Sequence, residues 1–123
     1  MGYRRNVAIG MKKEDGVRFL SEFAQSVPDS SLLDEGFTMR QYPEYLVFIW
    51  QDVKWYPEYR DVALVDAFLK ELVESDKPAA FVTVGEADDD CEAWYANDEN
   101  YDLYNLFWLN RSIGFAPTAE GGA

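Results

Sequence analysis

Residues 45–73, YLVFIWQDVKWYPEYRDVALVDAFLKELV, constrain the fold more than any other stretch. Leu46, Val47, Phe48, Ile49 and Trp50 are apolar at consecutive positions, so a strand here buries both of its faces. Such a strand needs a neighbour on each side and cover above and below. After Lys54-Trp55-Tyr56-Pro57 the period changes. Val62, Val65, Phe68, Leu69, Leu72 and Val73 recur at helical spacing, with Asp61, Asp66, Lys70, Glu71 and Glu74 on the other side. Pro57 suits a first helical turn, where a missing N–H does no harm, and Asp66 with Lys70 forms an i,i+4 pair. A strand of this kind running into an amphipathic helix predicts a sheet with helices packed on it.

The remaining segments supply the partners. Residues 3–11 read as a strand, with Val7, Ile9 and Met11 on one face. Residues 13–27 read as a helix whose stripe is Val17, Leu20, Phe23, Ala24 and Val27. Gly16 costs about 1 kcal/mol there relative to alanine and loosens the first turn. Residues 28–31 end that helix and 30–36 form a loop. A short strand at 37–42 turns through Pro43-Glu44 into the central strand, and 80–85 is a further strand. The order βαββαβ predicts an α+β, ferredoxin-like antiparallel sheet with two helices on one face. Residues 91–96 and 101–111 add a C-terminal two-strand extension, the second of them apolar enough to pair with the sheet or cover its open side. One domain is expected over residues 1–116, with a flexible tail at 117–123.

Charge narrows the function. Eleven basic residues face 23 acidic ones, a net charge of −12. That field repels nucleic acid and anionic membrane, so direct nucleic-acid binding is excluded and a basic partner favoured. One cysteine, Cys91, permits no internal disulfide. The basic start has no signal-type apolar core and no run reaches membrane-span length, which together predict a cytoplasmic protein.

Residues 86–102 hold Glu86, Asp88, Asp89, Asp90, Glu92, Asp98, Glu99 and Asp102 and no base. A metal is one reading, but the loop lacks EF-hand spacing and its glycine, and no metal or cofactor is expected. A second is charge display to a basic protein, even nucleic-acid mimicry: in an extended strand Glu86, Asp88, Asp90 and Glu92 share a face at about 6.6–6.8 Å. A third is a solvated turn that blunts a sheet edge. Trp55, Tyr56 and Tyr59 at the strand-to-helix corner, and Trp94 and Tyr95 among the acids, are the candidate interface aromatics. Phe48, Trp50, Phe107 and Trp108 read as core. The chain has no histidine, and no P-loop, GxGxxG or HExxH occurs, so no catalytic residue is assigned and no enzyme expected. Arg4, Arg5, Lys12, Lys13 and Arg18 make the first eighteen residues net basic, for which compensation within the molecule is favoured over self-contact.

The opening MGYRRNVAIG, the block WQDVKWYPEYRDVALVDAFL and the stretch FVTVGEADDD resemble a group of small acidic proteins encoded by phages and prophages. Those proteins open on Met-Gly-Tyr-Arg and a strand, and carry a Trp…Lys-Trp-Tyr corner before an acidic helix. The likeness covers residues 3–11, 50–69 and 81–90, about a third of the chain. It implies a phage setting and an inhibitor of host defence, of anti-CRISPR or anti-restriction type, that occupies a basic surface. The expected partner is thus a basic host protein or nucleoprotein complex, and a homodimeric structural or assembly module is the alternative.

Overall fold

The computed structural model describes residues 3–26, 37–87, 89–110 and 112–118. The expected loop at 30–36, the helix stop at 28–31, Val27 and the tail beyond residue 118 lie outside them. The described elements run β1 (Arg4–Lys12), α1 (Lys13–Ser26), β2 (Thr38–Gln41), β3 (Tyr45–Lys54), α2 (Arg60–Glu74), β4 (Ala79–Gly85), β5 (Cys91–Ala96), β6 (Phe107–Asn110) and β7 (Ser112–Phe115).

Five strands form one antiparallel sheet in the order β2-β3-β1-β4-β5, and β6 pairs with β7 in a separate ribbon. β1 lies in the middle, with Ile9 opposite both Phe48 of β3 and Phe81 of β4. Alternation along each strand then sorts the side chains by face. Val7, Ile9, Met11, Phe48, Trp50 and Phe81 meet Phe19 and Phe23 of α1 and Val62, Val65 and Phe68 of α2 on one face. Ala8, Val47, Ile49, Ala80 and Val82 point the other way, onto Leu103 and Phe107. The continuous apolar run of β3 is explained by these two covers. Each large side chain so buried contributes about 1.5–3 kcal/mol relative to exposure.

The sheet differs from a four-stranded pattern with a C-terminal pair appended. β5 joins β4 as a fifth strand, and residues 101–111 are not one strand. Asp98 explains the second point: its carboxylate accepts the N–H groups of Leu103 (2.9 Å) and Tyr104 (3.0 Å) and curls the backbone into turns before β6 begins. The short ribbon that follows covers the sheet face opposite the helices. Phe48, Trp50 and Phe107 are fully buried, while Trp108 is half-buried against Gly114.

Three local expectations need correction. The buried face of α1 runs through Asp15, Gly16, Phe19 and Phe23, leaving Val17 64% exposed and Ala24 exposed. Gly16 does not loosen the turn. A Cβ there would lie 2.6 Å from Leu46 Cδ1 and 3.1 Å from Leu46 Cβ, so the bare glycine lets α1 close on β3 and sets which face is buried. Asp15 is buried with it and is paired to Lys77 at 3.1 Å. Pro57, finally, precedes the helix. It sits at the second position of a turn closed by the Tyr59 N–H on the Tyr56 carbonyl (3.0 Å), and α2 starts at Arg60 with Tyr59 as its extended N-cap.

Candidate functional site

The acids of residues 86–102 divide by what they hold. The backbone turns back between β4 and β5, with the Gly85 N–H on the Asp90 carbonyl (2.7 Å) and the Asp90 N–H on that of Ala87 (3.0 Å). The extended ladder of Glu86, Asp88, Asp90 and Glu92 therefore does not form, and Asp88 lies outside the described residues. Glu86 accepts the Arg4 N–H at 2.6 Å. Asp90 takes both guanidinium ends of Arg5 at 2.7 and 2.9 Å, while Arg5 Nε donates to Thr83 Oγ1 at 3.1 Å. The basic N-terminal residues are thus partly compensated within the molecule, as their segment's charge suggests. Asp98 caps the turn before the ribbon, and Asp102 accepts the Tyr45 hydroxyl at 3.1 Å. Burial first, then that hydrogen bond, pushes the Tyr45 phenol up to about 12.

Asp89, Glu92 and Glu99 are exposed. Among the described residues, no hydrogen bond or ion pair engages their side chains. Nor do the described residues contain a group of three or more His, Cys, Asp or Glu able to hold a metal ion.

Glu92 borders a cleft of about 600 Å³ on the helix side of the sheet, where α2 stops short of the β5 edge. Its floor is Phe81, Thr83 and Trp94, its far wall is Asp66, Leu69, Lys70 and Val73 of α2, and the Arg5–Asp90 pair closes one end. Trp55 reaches the cleft because of a defect in β3. Asp52 adopts φ 54° with its N–H on Asn6 Oδ1 at 2.8 Å, beside a register shift between Arg5 and Val7 in the β1–β3 ladder. A bulge of this kind inserts one residue and reverses the alternation. Trp50, Val53 and Trp55 then all face the helices. Ring centroids run Trp50 to Trp55 at 5.5 Å, Trp55 to Phe81 at 6.5 Å and Phe81 to Trp94 at 6.1 Å, one aromatic floor from the core to the edge.

With Asp90 taken by Arg5, the charged lining that remains is Asp66 and Glu92 against the single cation Lys70. Partial desolvation, followed by the charge of Glu92, raises the Asp66 carboxyl above its usual range. Two carboxylates thus face each other across an aromatic floor. Among the described residues, no ion pair joins Asp66 to Lys70, so the i,i+4 pair read from the sequence does not close. An elongated group with an apolar stem and a cationic end fits this arrangement, since its stem packs on the rings and its charge relieves the carboxylates.

The fold brings together Trp55, Trp94, Asp90 and Glu92 from the candidate residues. It adds Arg5, Asp66 and Phe81, which their sequence context placed in a basic cluster, a solvated helix face and a strand interior. Tyr56 and Tyr59 stay at the corner, edge to face at 5.3 Å, with the Tyr56 hydroxyl accepting the Tyr3 N–H at 2.6 Å. Tyr95 is on the opposite face of β5, where it donates to the Phe107 carbonyl at 2.8 Å. Burial pushes its phenol up to about 12. No described helix is long and apolar enough to cross a membrane. Compared with protein-family models, curated proteins and solved structures, the chain matches none.

Proposed function

We propose that this protein works by binding, as an inhibitor of phage type that blocks a basic, nucleic-acid-handling defence protein of the host. The observation that carries the reading is the cleft, where Asp66 and Glu92 stand beside Trp55 and Trp94 in a molecule of net charge −12. Long-range attraction steers a basic protein to this face, and the rings supply the buried area that charge alone does not. The strand order β2-β3-β1-β4, with both helices on one side, supports reading the core as ferredoxin-like with β5 added. The exposed start of β5, Cys91 to Ala93, favours a second reading, a homodimeric assembly module.

The test compares wild type with the double variant Asp66→Lys/Glu92→Lys in capture from bacterial lysate at low and at moderately high salt, with circular dichroism as the control for folding. A nuclease or other nucleic-acid-processing protein should be retained by wild type, weakened by salt, and lost by the variant. Identical proteins retained by both would remove the cleft from the mechanism. A doubled mass with no captured partner would favour the assembly module.

A further inference from the structure

β5 is the outer strand beside the cleft, and among the described residues no strand pairs with its outer side. Hydrogen-bonded and non-hydrogen-bonded pairs alternate along an antiparallel ladder. The bond from Gly85 to Asp90 fixes the phase, so Glu92, Trp94 and Ala96 bond inward to β4. Cys91, Ala93 and Tyr95 turn their N–H and C=O groups outward, and Cys91, Glu92 and Ala93 are exposed.

We propose that this edge receives an extended basic segment of a partner protein as a sixth strand, whose lysine or arginine side chains enter the cleft beside Glu92 and Asp66. The inference rests on the binding reading above and gives its mode. In an added strand, residues two apart share a face about 6.6–6.8 Å from one another. One side chain then lies opposite Glu92 and the next opposite Trp94, the first meeting the carboxylates and the second lying over the ring.

Charge decides the occupant. No base occurs between residues 86 and 110, so a second copy paired through its own β5 would set like charges against each other. The other edge, β2, has four residues, and the guanidinium of its Arg40 is engaged by the Ala116 carbonyl and the Tyr42 hydroxyl, both at 3.0 Å. A head-to-tail contact therefore gains little from that arginine. A basic strand meets neither obstacle.

The probe is a synthetic peptide of alternating lysine and threonine, followed by tryptophan fluorescence and by amide exchange at Cys91, Ala93 and Tyr95. Two further peptides carry backbone N-methyl groups, on every threonine or on every lysine. With lysines toward the cleft, the threonine N–H groups face β5 in an antiparallel docking and the lysine N–H groups do so in a parallel one. Methylation of one set but not the other should weaken binding by about tenfold or more. Ala93→Pro, which removes an outward N–H and leaves the β4 ladder intact, should weaken the unmethylated peptide. Equal binding of all three peptides overturns the added strand and leaves the acidic cleft standing. No binding of any peptide overturns both. A dimer dissolved by Ala93→Pro shows that a second copy holds the edge and also overturns the proposal.

Discussion

Arg5 shows how one side chain ties distant segments. It stands on β1, yet it fixes the turn after β4 by two bonds to Asp90 and touches Thr83 on the way, with its side chain only 17% exposed. A charge-assisted, bidentate pair of this kind is stronger than a surface ion pair because water competes less for it. Arg5→Leu should cost about 1–3 kcal/mol in urea unfolding, and its effect should be strongly non-additive with Asp90→Leu. Additive losses would mean that the two residues act separately. The pair is illegible from sequence, since nothing local links position 5 to position 90. Only the net charges of the two segments hinted at it. The Asp52 bulge is equally silent: strict alternation turns Trp55 away from Trp50, and a single left-handed residue turns it back.

At the scale of elements, the strands and helices were legible to within a few residues wherever a period persisted for two turns or more. Cys91–Ala96 reads directly as a strand, and the β3-to-α2 passage is visible as a change of period. The largest departure lies in the C-terminal segment. Residues 101–111 are apolar on both sides, which a buried strand and a capped turn leading into a hairpin satisfy equally well. What decides is Asp98, acting five and six residues ahead. The seating of the resulting ribbon depends on an absent side chain, because a Cβ at Gly10 would lie 2.6 Å from Phe107 Cε1 and 3.0 Å from Leu103 Cδ2. Gly10→Ala should lift the ribbon and cost about 1–3 kcal/mol by overpacking. Loss of near-UV dichroism from Tyr95 and Phe107, with far-UV dichroism kept, would report that lift, whereas unchanged stability would show that the ribbon yields freely.

For the whole molecule, alkaline pH is the most direct probe of the ribbon cover. Tyr45 and Tyr95 lie on the ribbon side and are each pushed up to about 12 from an ordinary value of 10. Their pKa values in the folded chain exceed those in the unfolded chain, so the unfolded state releases these protons first as pH rises. Stability should therefore be insensitive to them below pH 10 and fall through the window from about 10 to 12. Urea midpoints measured across that range check the sign, and a flat profile would show that both phenols ionise without disturbing the fold. Asp66 works in the same sense at acid pH, its penalty disappearing as pH falls through its raised value.

The central position of β1 also sets a timetable. Its two neighbours, β3 and β4, are encoded far downstream, so β1, once synthesised, is completed on its second side only when residue 85 has been made. At 5–20 residues per second, roughly 4–15 s of translation pass between the two events. Until then Val7-Ala8-Ile9-Gly10-Met11 keeps at least one side unpaired, and the charges of the flanking Arg4, Arg5, Lys12 and Lys13 oppose association of nascent chains through it.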